Sequence, residues 1–176
     1  ASGAGGAGAN GAGGAGASGA GGGPSGAGDA ERPPTDAAAM AAWIDAKYYA
    51  DWACEPEPTR KTDGSPGIHA HATSNRVCSN ALMASTDRAA GGEWPAGAAA
   101  VKEIYGSSGE IVNYAVALKT GAASDGGRGW YWYEGTGAGA IAGFGVGLCT
   151  GCHGAASSDE GHPGAGDYVY FRVEAP

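Results

Sequence analysis

The residues whose types and spacing could support chemistry lie at positions 149–153, in the run CTGCH. C-x-x-C-H is the attachment signature of a c-type haem. In that chemistry the two thiols form thioether bonds to the vinyl groups of the macrocycle, and the adjacent imidazole binds the iron. The motif therefore predicts one covalent haem c, with Cys149 and Cys152 as its anchors and His153 as the iron ligand.

The same residue types also occur in redox dithiols and in zinc sites. A structural zinc site needs four ligands at compatible spacing, whereas the other cysteines and histidines are scattered along the chain. Because the histidine follows the second cysteine directly, haem attachment is preferred over half a zinc site or a redox C-x-x-C.

Two cysteines, Cys54 and Cys78, remain once the haem has taken its pair. Haem attachment of this kind takes place outside the cytoplasm, so we expect an exported protein of the periplasm, cell surface or extracellular space, with its leader removed. Such compartments permit disulfides. An even remainder therefore predicts a disulfide between Cys54 and Cys78, with two buried free thiols as the alternative.

The charge balance limits the range of partners. The formal net charge is −8 and the sequence pI is about 4.8. An acidic chain is repelled by nucleic acid and by anionic membrane surfaces, so we expect neither as a partner. No apolar run approaches the roughly 20 residues that a membrane-spanning helix needs. A small ligand or a redox partner is the remaining expectation.

The N-terminal residues 1–32 form a Gly/Ala-rich, low-complexity tail. Residues 3–10 read GAGGAGAN and residues 11–18 repeat them as GAGGAGAS, which is a period of eight. Such a segment buries too little surface to offset its ordering entropy, which favours a flexible tether. Its small side chains also permit close intermolecular packing, so assembly into an oligomer or filament is the alternative. Residues 33–176 are long enough for one compact domain.

The elements that would position the motif can be predicted from hydrophobic periodicity. A helix capped by Thr35-Asp36 is expected over 37–52, and a short one over 80–86. Strands are expected over 71–79, 98–105, 110–119, 128–134 and 167–173. The apolar face of the first helix comprises Met40, Trp43, Ile44, Tyr48 and Trp52. The sum is an α+β fold, an antiparallel sheet with flanking helices around one covalent haem.

Four patterns then follow one another in the order found in a known family. They are a histidine leading into a strand that ends in Asn (71–80), W-P-x-G-x-x-x-V-K-E (94–103), G-W-Y-W (129–132), and C-x-x-C-H-G followed by D-Y-V (149–154 and 167–169). Together they resemble the cytochrome P460 family. The resemblance implies an antiparallel sheet with flanking helices, a single covalent haem and, often, a homodimer.

The resemblance also implies five-coordinate iron with His153 on one side and an open pocket on the other. Members of the family oxidise hydroxylamine and nitric oxide, or bind small gases such as NO. In the enzymatic members the lysine of V-K-E is bonded to the porphyrin ring, and Lys102 is the matching position. From the residues alone, Lys102 could instead face solvent in a salt bridge or contact a haem propionate.

Two classes of function stay open. One is a haem enzyme or NO-binding protein; the other is a non-catalytic electron-transfer cytochrome, or a structural subunit of an extracellular filament assembled through the tail. A second axial histidine would favour electron transfer, and a carboxylate near the open side would favour proton-coupled chemistry. The candidates for the first role are His69, His71 and His162, and those for the second are Glu103, Glu134 and Asp167.

Overall fold

The structure, a computed structural model, describes residues 32–60, 74–87, 92–158 and 166–175. The Gly/Ala-rich tail predicted for residues 1–32 lies outside the described residues, apart from Arg32. The same is true of His69, His71 and His162.

Within the described ranges the chain forms three α-helices and seven strands. In chain order they are α1 Ala37–Asp45, β1 Ala53–Cys54, β2 Thr59–Arg60, β3 Ser74–Ser79, α2 Ala81–Ser85, β4 Ala99–Tyr105, β5 Ile111–Lys119, β6 Trp130–Gly135, β7 Ile141–Phe144 and α3 Gly147–His153. All strand pairs are antiparallel, in the order β1-β3-β4-β5-β6-β7, and β2 also pairs with β3. The predicted α+β class, an antiparallel sheet with flanking helices, is confirmed. None of the described helices is long and apolar enough to cross a bilayer.

Helix α1 is shorter than predicted. The Asp36 side chain accepts a hydrogen bond from the Ala39 amide at 2.9 Å, which caps the first turn as expected. The helix ends at Asp45, because Lys47 lies in the left-handed region with φ 56°. This break changes which aromatic ring faces the core: Tyr49 is buried, whereas Tyr48, predicted for the apolar face, is 52% exposed.

The sheet has two unlike faces. The helix face packs against α1 through an apolar core that includes Met40, Trp43, Val101, Val116 and Tyr133. The opposite face, here called the site face, carries a second core of Trp94, Trp130, Trp132, Cys149 and Val169. Successive side chains of a strand point to opposite faces, so each central strand contributes to both cores.

Cys54 and Cys78 form a disulfide between the paired strands β1 and β3, as the cysteine count predicts. It lies at the edge of the sheet opposite β7, the strand that precedes the C-x-x-C-H residues 149–153 in the chain.

The prediction of a strand over residues 167–173 is wrong. Asp167 and Tyr168 have φ values of 48° and 69°, in the left-handed region that a strand does not use. Only an isolated bridge between Gly166 and Val169 forms there. The segment instead packs on the site-face core in a non-regular conformation, with Val169 buried there and Tyr168 packed against it.

Candidate functional site

The C-x-x-C-H motif occupies helix α3, Gly147–His153. Cys149 and Cys152 are three residues apart, so both lie on one side of the helix. Their thiols are free, in contrast to the Cys54–Cys78 disulfide. Cys149 is buried and Cys152 is exposed. The two cysteines of the motif therefore lie within a single turn of helix α3.

A glycine turn lets α3 approach the body of the protein. Gly127 has φ +94°, and a β-carbon added there would collide with the side chain of Thr150, between the two cysteines. Only glycine combines this backbone conformation with this close approach.

His153 is held in one tautomer. Its Nδ1 lies 2.8 Å from the carbonyl oxygen of Tyr168. Because a carbonyl oxygen can only accept, Nδ1 carries the proton and Nε2 keeps its lone pair. The ring also packs against Trp132, with 4.8 Å between centroids. Metal-binding histidines typically donate their second ring N–H in this way.

The charge state of His153 suits a ligand as well. Burial lowers the pKa of the imidazole to about 4, the hydrogen bond to Tyr168 opposes that shift, and the positive charge of Lys102 adds to it. The ring is therefore neutral at pH 7, which is the form that binds iron.

Two cross-strand rows of side chains form the floor of the site face. Strand register places Val77, Lys102, Ala115, Glu134 and Ile141 in one row, and Ser79, Ala100, Ala117, Trp132 and Gly143 in the next. The alanines of the central strand β5 are only half-buried. A strand in the middle of a sheet thus carries small, incompletely covered side chains, with Lys102 and Glu134 on either side of Ala115.

Lys102, Glu134, Cys149 and His153 are coupled by charge. Burial raises the pKa of Glu134, and the positive charge of Lys102 partly offsets this. Burial raises the pKa of the Cys149 thiol to about 11, and the charge of Glu134 contributes to that rise. Lys102 acts in addition on His153. Residues that are far apart in sequence therefore share one electrostatic environment.

The three candidate carboxylates differ in where they lie and in which basic side chain is beside them. Glu134 lies on the site face in the row of Lys102. Glu103 lies on the helix face, where Arg76 Nε donates to it at 2.8 Å. Asp167 is ion-paired with the buried Lys119, 3.1 Å from Nζ to Oδ2. Glu134 is thus the candidate carboxylate beside Lys102, whereas Asp167, which also lies over the site face, is paired with Lys119.

The residues present fit a covalent haem. The indole Nε1 of Trp132, in a residue only 4% exposed, is buried without a hydrogen-bond acceptor among the described residues. A buried donor beside His153 is costly unless a bound group accepts from it. Within the described ranges no three His, Cys, Asp or Glu side chains are grouped as ligands of a metal ion. Haem iron requires only the single protein ligand that the motif supplies.

Sequence reasoning missed Tyr168 and Lys119 as parts of the site. Tyr168 acts through its main-chain carbonyl, which carries no side-chain signal. Lys119 ends a strand and looks like an ordinary exposed terminal lysine, but it is fully buried. Neither could be identified without the tertiary fold.

Neither the models of known protein families nor the curated proteins contain a match to this sequence. The cytochrome P460 resemblance therefore stays a prediction from the residues.

Proposed function

We propose that this chain is a monohaem c-type protein resembling the cytochrome P460 family, which uses His153-ligated iron for hydroxylamine or nitrogen-oxide chemistry or for NO binding. The observation that carries the proposal is the state of His153. His153 comes directly after Cys152, and Cys149 and Cys152 are free thiols on the same helical turn. The Nδ1–H of His153 donates to the Tyr168 carbonyl oxygen, with 2.8 Å between the nitrogen and the oxygen. Nε2 is thereby left as the donor atom for iron.

The site face supplies a surface for the macrocycle. Ala100, Ala115 and Ala117 present only methyl groups in the centre of the sheet. Ile141, in the row of Lys102, is 44% exposed. A flat apolar group lying there would cover this side chain and the alanines, gaining hydrophobic free energy from each.

Glu134 and Lys102 would then serve the iron's reaction. A bound haem supplies the electron-accepting and gas-binding iron, and the chain's own residues supply the proton chemistry. Burial raises the pKa of Glu134 above its ordinary 4.5, and a carboxylate that binds a proton more readily suits a group that accepts one from a bound substrate. The Nζ of Lys102 is the group proposed to contact or bond the macrocycle.

Covalent attachment is tested by expressing the chain in an oxidising compartment together with haem-attachment enzymes. We expect the protein mass to rise by one haem and the bond to survive denaturation. Replacing both Cys149 and Cys152 by Ala should abolish attachment. The matched control is Cys54→Ala with Cys78→Ala, which removes the other cysteine pair and should retain the haem. If the wild-type protein carries no haem after denaturation, the proposal is refuted.

The absorption spectrum separates the two classes of function. A strongly red-shifted ferrous Soret band that is lost in Lys102→Arg, which keeps the charge but not the primary amine, would support the crosslink and the enzymatic class. An ordinary low-spin c-type spectrum would show a second axial ligand and would instead support an electron-transfer cytochrome.

A further inference from the structure

Residues 166–175 form a C-terminal strap across the site-face core. The Val173 amide donates to Ser79 Oγ at 2.9 Å, and Arg172 Nη1 donates to the Met83 carbonyl at 3.2 Å. Two residues of the strap contact α3: the Tyr168 carbonyl accepts from His153, and the Tyr170 hydroxyl donates to the Cys152 carbonyl at 2.8 Å. The strap therefore determines where the carbonyl that orients His153 lies.

The start of the strap is strained. Asp167 and Tyr168 are consecutive non-glycine residues with φ values of 48° and 69°. A left-handed non-glycine residue of this kind is unfavourable and persists only when the surrounding structure enforces it.

The Asp167 side chain provides that enforcement. Its Oδ2 accepts from the Trp94 amide at 2.6 Å and from Lys119 Nζ at 3.1 Å. Its Oδ1 accepts from the Ser124 hydroxyl. Three donors from three separate segments thus hold one carboxylate, and its own main chain leads directly into Tyr168.

The buried Lys119 restrains the position of the Asp167 carboxylate. It is 0% exposed, lies 5.4 Å from the centroid of the Trp130 ring and is 3.5 Å from Glu93 Oε2. Removing a buried ammonium from its carboxylate partner is strongly unfavourable. Asp167 is consequently restrained to one position, because any shift would weaken the pairing of a charge that water does not reach.

We infer that Lys119 and Asp167 are positioning residues for the iron ligand: their buried ion pair fixes the Tyr168 carbonyl, and so the tautomer and basicity of His153. The inference rests on the proposed function and deepens it. The ion pair does not touch the iron; it acts through one main-chain hydrogen bond.

The test uses the haem-loaded protein with Lys119→Met and Asp167→Asn. Loosening the Nδ1–H···O=C bond makes the imidazole less basic and raises the reduction potential. Asparagine tolerates the left-handed conformation, so Asp167→Asn removes charge without adding backbone strain. The matched control is Glu55→Gln, which changes a similarly buried carboxylate beside strand β1.

The two variants separate positioning from bare charge. Loss of the negative charge of Asp167 raises the reduction potential whether it acts on the iron directly or by loosening the hydrogen bond of His153. Loss of the Lys119 charge would by itself lower the potential, whereas loss of positioning raises it. We expect a rise in both variants, faster solvent exchange of the His153 Nδ1 proton in its hyperfine-shifted resonance, and no change of either quantity in Glu55→Gln.

A fall or no change of the potential in Lys119→Met, or unchanged proton exchange, would overturn the inference. If Lys119→Met does not fold, proton exchange in Asp167→Asn decides: faster exchange supports positioning, and wild-type exchange refutes it. A wild-type chain that carries no haem refutes the proposed function and the inference with it. A haem-loaded wild type with unresponsive variants refutes the inference alone.

Discussion

Lys102 and Glu103 are neighbours in β4, and the strand directs them to opposite faces of the sheet. Lys102 lies on the site face, opposite Ala115 in the register. Glu103 lies on the helix face and is 2% exposed, with Arg76 Nε at 2.8 Å and the Tyr105 hydroxyl at 2.7 Å. One residue of the pair thus lies on the face proposed to hold the haem, and the other stabilises the strand that carries it.

We predict that Glu103→Gln destabilises the protein at neutral pH. Burial opposes ionisation of Glu103, but hydrogen bonds from Arg76, Tyr105 and Tyr49 outweigh it, and its pKa is lowered from the ordinary 4.5. A depressed pKa contributes stability above the unfolded value, and that stability is lost as the pH falls through the folded value. Urea unfolding should therefore show a loss of about 2 kcal/mol at pH 7 that shrinks below about pH 4.

Glu134→Gln is the contrasting control. Burial raises the pKa of Glu134, so its ionised form is disfavoured in the folded state. Removing that charge should leave the free energy of unfolding at pH 7 unchanged or slightly higher. A Glu103→Gln penalty that persisted undiminished in acid would contradict the assignment of its effect to the ionised carboxylate.

At the scale of elements, α3 depends on the turn that precedes β6. Gly126 and Gly127 both have positive φ, +64° and +94°. A β-carbon on Gly126 would meet nothing within 4 Å, whereas one on Gly127 would meet Thr150 of α3. The two glycines are therefore a natural matched pair.

We predict that Gly127→Ala is more destabilising than Gly126→Ala. Both variants lose about 1 kcal/mol through the left-handed backbone. Gly127→Ala should lose a further ~1–3 kcal/mol because the methyl group overpacks against α3. Thermal or urea unfolding of both variants measures the difference, and equal losses would show that Thr150 yields without cost. Haem yield should fall only in Gly127→Ala.

Elements with strong periodicity were predicted well, and the misses have physical causes. Strands β4 and β5 lie within one residue of their predicted bounds, since alternation and the turn at 106–109 mark them. Helix α1 stops early because Lys47 adopts a left-handed conformation that its sequence does not signal. The predicted final strand is absent because the strap follows the contacts of Asp167 rather than a strand partner.

At the scale of the whole molecule, the Gly/Ala-rich tail and the folded domain differ in composition. We predict that deleting residues 1–30 leaves haem attachment and the unfolding midpoint unchanged, because glycine and alanine bury little apolar surface. Electron microscopy of the full-length and truncated proteins tests assembly. Filaments that vanish on truncation would establish an assembly segment, and monodisperse full-length particles would establish a tether. A lowered unfolding midpoint would contradict the separation of tail and domain.

The sequence by itself determined the C-x-x-C-H spacing of Cys149, Cys152 and His153, the Cys54–Cys78 pairing and the α+β class, because each depends on local spacing, counting or periodicity. Only the tertiary structure decided which face Lys102 shares with Glu134, which main-chain carbonyl orients His153, and that Lys119 is buried against Asp167, 48 residues away. The reason is physical: burial, pKa and tautomer depend on neighbours brought together by folding, and long-range neighbours leave no local pattern in the chain.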